Sequence, residues 1–91
     1  MPIYTNNITL GTAAQLVVPP DVMPQEVHLH NMTKSSNEYI YLGGGSAITT
    51  SNTLHIDPGE SIQLTLGPSD SLYALSDPDG LELGILRITQ D

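Results

Sequence analysis

The residues best placed to do chemistry in this chain are two histidines, His28 and His30, separated by one leucine. Side chains alternate across a β-strand, so an HxH pair in extended structure presents both imidazoles on one face. Two such rings can begin a metal centre. A complete site of this kind also takes a glutamate a few residues on and a third histidine from a distant strand. Here positions 34 and 35 are lysine and serine, and Glu38 comes after a turn-forming run, Lys34-Ser35-Ser36-Asn37. His55 would complete the set only if its strand lay alongside. Histidines on a solvent or subunit face are the simpler expectation, and no metal ligand or cofactor is assigned.

Two further patterns invite a ligand. Gly43-Gly44-Gly45-Ser46 has the composition of a phosphate loop. A Walker loop, however, needs a lysine directly after its glycines, and a dinucleotide loop needs a helix start there. Lys34 is the only lysine, and Ala47-Ile48-Thr49-Thr50 is β-prone. A strand end with room for a close backbone approach fits better. Asp77-x-Asp79-Gly80 matches a fragment of a calcium loop, but the distal bidentate glutamate is missing, since Glu82 is too near. Turn chemistry explains that run. No GxSxG elbow is present and cysteine is absent, so no nucleophile is assigned. No catalytic residue is expected, and an enzyme is not.

Charge narrows the partners. Ten acidic residues face two cations, Lys34 and Arg87, for a formal net charge of −8. Nucleic-acid binding draws its affinity from a basic patch, which two cations cannot build. Anionic membranes are disfavoured for the same reason, and no apolar run approaches the roughly 20 residues of a membrane span. Met1-Pro2-Ile3-Tyr4 lacks the charged and apolar regions of a secretion signal, so none is expected. The sequons Asn7-Ile8-Thr9 and Asn31-Met32-Thr33 then read as coincidence. An acidic surface suits docking onto a basic or mixed-charge partner.

The elements that would position these residues are all β. Proline and glycine punctuate the chain about every ten residues, and no window holds a helical period. Strands are expected at Gln15 to Val18, Gln25 to Met32, Glu38 to Leu42 and Thr53 to Ile56. Three more are expected at Ser61 to Leu66, Ser71 to Leu75 and Leu81 to Thr89. Residues 1–14 read as an extended amino-terminal arm with one short strand at Ile8 to Leu10, ahead of a domain over residues 15–91. Leu81, Leu83 and Ile85 share one face of the last strand while Leu86 and Ile88 share the other. A bulge at Gly84 or burial on both faces would account for that. Asp57-Pro58-Gly59-Glu60 has the type II turn pattern, and Asp77-Pro78-Asp79-Gly80 suits a type I turn ending in a left-handed glycine. The sum is a single small all-β domain, a β-sandwich or jelly roll. With neither Phe, Trp nor Cys, such a small core has a thin stability margin, and a partner subunit is a natural source of more.

Several of these runs together resemble a family. Asn37 to Gly44 (NEYIYLGG), Ala47-Ile48-Thr49, Leu54 to Ser61 (LHIDPGES) and Asp70 to Leu75 (DSLYAL) are similar to small all-β virion proteins of tailed phages. In these a strand ending in Y-x-G-G precedes L-x-P-G-E-S and a late L-Y-A strand. The resemblance spans residues 25–89. It implies a non-enzymatic structural protein of the virion, most specifically a head decoration (cement) protein on the capsid surface. The implied partner is the major capsid protein, and the implied assembly is a homo-oligomer, with a trimer favoured. It carries no catalytic residues.

The contacts expected for that role are Pro2, Ile3, Tyr4, Ile8 and Leu10 in the arm, Gly44 in the loop, and Tyr39, Tyr41 and Tyr73. Tyrosine joins apolar area to a hydroxyl at low entropic cost, which suits interface anchors as well as cores. Two alternatives stay open. One is a tail, neck or fibre-attachment module. The other is a cupin-like metal- or ligand-binding module using the three histidines or the tyrosines.

Overall fold

The computed structural model describes residues 3–50 and 53–89. Eight strands follow one another, and the described residues include no helix. They are β1 (Ile3–Thr9), β2 (Gln15–Val18), β3 (Gln25–Asn31), β4 (Tyr39–Gly43), β5 (Leu54–Ile56), β6 (Ser61–Leu66), β7 (Leu72–Asp77) and β8 (Glu82–Thr89). Two four-stranded sheets form, in the orders β1-β8-β3-β6 and β2-β7-β4-β5, with every pair antiparallel.

The pairing is nested. β1 lies against β8, β2 against β7, β3 against β6 and β4 against β5. The chain is therefore one long hairpin whose tip lies between β4 and β5, rolled so that β3 also meets β8 and β4 meets β7. That is the jelly roll, and it decides between the two architectures that alternation alone left open.

Period-two patterning makes the core. Val27 and Leu29 of β3, Leu83 and Ile85 of β8, and Leu66 of β6 face inward from the first sheet. They meet Val18, Ile40, Leu42, Ile56, Leu72 and Ala74 of the second. In β2 the register slips between Leu16 and Val18, a bulge that lets adjacent Val17 and Val18 both be buried. No such slip occurs at Gly84. Both ladders of β8 run through it unbroken, and Leu81, Leu83 and Ile85 stay inward. The apparent change of parity is burial on both faces, because Leu86 and Ile88 are half-buried on the outside.

The amino-terminal segment expected as an arm is built into the sandwich. Ile3–Thr9 pairs along its whole length with β8, from Ile3 opposite Ile88 to Thr9 opposite Glu82. Leu10 follows it into the core at 1% exposure, and its N–H donates to the Leu81 carbonyl at 2.8 Å. Ile8 packs against the same core. The segment looked unpatterned because β1 is a sheet edge with most of its residues exposed. Sheet hydrogen bonds, which depend on the backbone and not on the side chain, hold it there.

Buried polar residues join the layers. Asn31 is fully buried, and its amide nitrogen donates to the carbonyls of Glu38 at 2.9 Å and Ile56 at 3.0 Å. Its side-chain oxygen accepts from the Thr33 N–H at 3.1 Å and the Thr33 hydroxyl at 2.8 Å. The Asn31-Met32-Thr33 sequon is thus a structural clamp between the sheets. Gln25, equally buried, donates to the Pro19 carbonyl at 2.9 Å and accepts from Arg87 at 3.0 Å. Arg87 in turn lies 4.9 Å from the centre of the Tyr4 ring, a cation–π contact that ties the edge strand down.

The turns follow their residues. Gly59 takes φ +76° and the Glu60 N–H donates to the Asp57 carbonyl at 3.0 Å, the type II arrangement. Gly80 takes φ +90°, the left-handed conformation expected for it, but its N–H donates to the Leu10 carbonyl at 2.9 Å and does not close the expected type I turn onto Asp77, and the Asp77–Pro78 bond is cis.

Candidate functional site

The two sheets present two outer faces of different chemistry, on opposite sides of a body measuring 38 × 25 × 17 Å. On the β2-β7-β4-β5 sheet, alternation along β4 turns Ile40 and Leu42 inward and Tyr39 and Tyr41 outward. Register then sets their neighbours. Tyr41 lies opposite His55 on β5 and Leu75 on β7, Tyr39 opposite Asp77, and Tyr73 opposite Leu16 on β2. His55 meets both β4 tyrosines, with ring centres 5.1 Å from Tyr39 and 5.7 Å from Tyr41. Asp57 holds its other side, with the His55 Nε2 and an Asp57 carboxylate oxygen 3.0 Å apart.

Leu75 stands outward in this same row, yet it is only 3% exposed. Tyr41 lies across from it, and Tyr73 and Asp77 flank it on its own strand. This face therefore carries a small apolar patch of its own, with Leu16 exposed at its margin. The tyrosines are half-buried, so their rings contribute apolar area and their hydroxyls stay available to a partner.

The outer face of the β1-β8-β3-β6 sheet mixes polar side chains with the half-buried Leu86 and Ile88. Two cross-strand rows run over it: Thr5, Leu86, His28 and Gln63 in one, and Asn7, Gly84, His30 and Ser61 in the next. Gly84 leaves a gap in the second row. Met32, just past the end of β3, reaches over that gap, and its sulfur would lie 3.2 Å from any Cβ placed on Gly84. An open groove of about 870 Å³ results. Local bonds fix its side chains. His30 Nδ1 and the Ser61 hydroxyl lie 2.8 Å apart, Gln63 donates to Glu26, and His28 Nε2 is 3.4 Å from the same carboxylate.

The residues singled out as contacts divide between these places and the interior. Tyr39, Tyr41 and Tyr73 come together on one face, as strand register requires. Ile3 and Tyr4 are exposed on the edge strand, at 63% and 47%. Ile8 and Leu10 are used by the core, so Leu10 has no surface to offer a partner. Gly44 is exposed, with nothing within 4 Å of an added Cβ. Pro2 lies outside the described residues.

The three histidines do not meet. His28 and His30 face out from one sheet and His55 from the other, with the core between. Among the described residues no three His, Asp or Glu side chains gather as metal ligands, which covers Asp77, Asp79 and Glu82 as well. The glycine run resolves unevenly. Gly43 closes β4 and has Ile48 of the following loop packed against it, so a side chain there would collide with Ile48. The Thr53 hydroxyl donates to the Leu42 carbonyl at the same place. Sequence reasoning marked Gly84 only as the point where parity changes, and it gave Leu75 and Met32 no role on either outer face. The parity of Leu86 and Ile88 was the available signal that the second outer face is not plain solvent surface.

No protein-family model and no curated protein matches the chain. Its fold is shared with solved structures. A chain of the Bacillus endospore appendages, which form a family of disulfide-linked pili, aligns over 99% of this chain and 87% of its own, with TM-score 0.60 and 15% identity. A chain of the acid-stable capsid of Helicobacter pylori bacteriophage KHP30 aligns over 94% and 82%, with TM-score 0.57 and 14% identity. The all-β two-sheet architecture is common to them.

Proposed function

We propose that this chain is a non-enzymatic structural protein of a phage virion, and within the virion a head decoration protein bound to the outside of the capsid. The observation that carries the proposal is the jelly roll itself, shared over nearly the whole chain with a protein of a phage capsid. The tyrosine face supplies the contact chemistry. Tyr39, Tyr41 and Tyr73 share one face and cover Leu75, which leaves the three rings as the aromatic anchors from which interfaces draw much of their energy. The net charge of −8 suits a basic or mixed-charge shell.

A decoration protein stabilises by mass action, because it binds the assembled lattice and not its separated subunits. A homo-oligomer, with three copies about a threefold, supplies contact area that one small subunit lacks. Ile3 and Tyr4 on the free edge of β1, and the loop around Gly44, are the remaining proposed contacts.

Co-sedimentation of the purified protein with undecorated capsids tests this. Binding should saturate and should fall when Tyr41 and Tyr73 are both changed to serine. Immunogold labelling of whole particles separates the head from a tail, neck or fibre position. Label on the tail would assign the protein to that second virion role, and absence from particles would end the proposal. The likeness to a pilus subunit favours one rival, a filament built from copies of this chain. Without cysteine it would lack disulfide links, and negative-stain images of the concentrated protein would show it.

A further inference from the structure

We infer that the groove on the outer face of the β1-β8-β3-β6 sheet is a binding site for a neutral saccharide. Charge is the first argument. The protein carries ten acidic residues, yet no Asp, Glu, Lys or Arg lines the groove. Glu26 and Glu82 stand in the cross-strand rows on either side of it, so carboxylates bracket two rows that carry none of their own. That field repels anions such as phosphates and acidic sugars, and neither Lys nor Arg lines the groove to offset it.

The second argument is the kind of polar group present. Thr5 and Ser61 offer hydroxyls, Asn7 and Gln63 offer amides, and His28 and His30 offer imidazoles. Each of these types both donates and accepts hydrogen bonds, and although Gln63 spends a donor on Glu26 its side-chain oxygen still faces a ligand as an acceptor. A sugar hydroxyl also does both, and a ring of them needs partners without a fixed sign. Leu86 and Met32 add apolar surface for the C–H face of a pyranose. The pre-set rings matter too. With its Nδ1 held by Ser61, His30 has its Nε2 edge left for a ligand.

The third argument is the gap. Gly84 sits in the middle of a β-strand, where glycine weakens the element and marks close approach of another group. Here the approaching group is Met32, whose side chain lies over Gly84 between its cross-strand neighbours His30 and Asn7 and forms an apolar floor to this part of the groove. Pockets of several hundred Å³ with a few convergent polar groups are the usual form of small-molecule sites. The tyrosine face lies on the other sheet, so a copy docked through it would leave this groove turned away.

The test is NMR titration of the isotope-labelled protein with methyl galactoside, methyl glucoside, N-acetylglucosamine and its short oligomers, and with sialic acid as the anionic arm. At least one neutral sugar should give saturable amide shifts at His30, Ser61, Gln63 and Gly84, and sialic acid should give none. Gly84→Val pushes Met32 off the floor of the groove and should abolish those shifts while the core resonances stay in place. Should that variant fail to fold, Gln63→Ala serves instead, and it should weaken the affinity roughly three- to tenfold, the effect of one neutral hydrogen bond. The inference is overturned if no neutral sugar saturates, or if the shifts fall on Tyr39 and Tyr41. Equal binding of sialic acid, or a folded Gly84→Val that binds unchanged, would overturn it too. So would concentration-dependent broadening of the groove without sugar, which would make the occupant a second copy.

Discussion

The side-chain amide of Asn31 donates to the main-chain carbonyl of Ile56 at 3.0 Å, joining β3 of one sheet to β5 of the other. A second bond from the same nitrogen reaches the Glu38 carbonyl at 2.9 Å. One buried group serves both acceptors, and the Glu38 carbonyl also takes a longer bond from the Thr33 hydroxyl at 3.4 Å. Asn31→Ala should therefore remove a buried donor from two carbonyls and cost roughly 2–4 kcal/mol. Asn31→Asp keeps the shape but sets oxygens against oxygens, and should cost at least as much. Thr33→Val, which removes a single donor to Asn31, should cost about 1 kcal/mol. Urea unfolding measures all three as shifts in midpoint at constant slope.

How much of this was legible depends on whether the information was local. In β3, Gln25 to Asn31 alternates cleanly, and the faces assigned to Val27, Leu29, His28 and His30 are the faces observed. The Gly59 turn was equally local. β1 was not legible along its length, because Ile3–Thr9 sits at an edge where burial imposes no pattern. Nor was the meeting of residues far apart in sequence. Whether His55 joins His28 and His30 is a question of strand order, and the nested pairing places it on the opposite sheet. The tyrosine face needed the same knowledge. Tyr39 and Tyr41 visibly shared a side, but only the β4–β7 register brings Tyr73 beside them.

Within the glycine run, position decides the effect of a side chain. Gly43→Ala should destabilise by about 1–3 kcal/mol, since the new methyl meets Ile48 in a packed place. Gly44→Ala meets nothing and should stay within about 0.5 kcal/mol of the parent. The double variant Gly43→Ala, Ile48→Ala should recover part of the loss. Thermal melts of the four proteins form a double-mutant cycle, and additivity would show that the Gly43 effect has another origin.

Gly59 tests backbone conformation alone. Its φ of +76° disfavours any side chain, while the space around it is open. Gly59→Ala should cost about 1–2 kcal/mol, and Gly59→Asn less, because asparagine tolerates the left-handed region. Equal losses for the two would point to a contact and not to φ.

Deleting residues 2–10 asks whether the amino-terminal segment is an accessory arm or part of the fold. An arm could be removed at the expense of partner binding alone. The structure gives a different expectation. The deletion strips β1 from its whole ladder on β8, removes the cation–π cover of Arg87 and takes Leu10 out of the core. Loss of the leucine alone is worth about 2–5 kcal/mol, a large share of the stability of a domain this small. The truncated chain should therefore unfold at much lower urea or fail to fold. The exposed outer end of β1 is separable from that effect. Ile3→Ser and Tyr4→Ser leave the ladder and Leu10 in place, so the melting temperature should fall by only a few degrees. If those point variants weaken capsid co-sedimentation while the domain stays folded, β1 serves both as edge strand and as contact. A folded, stable deletion variant would instead return the segment to the status of an arm.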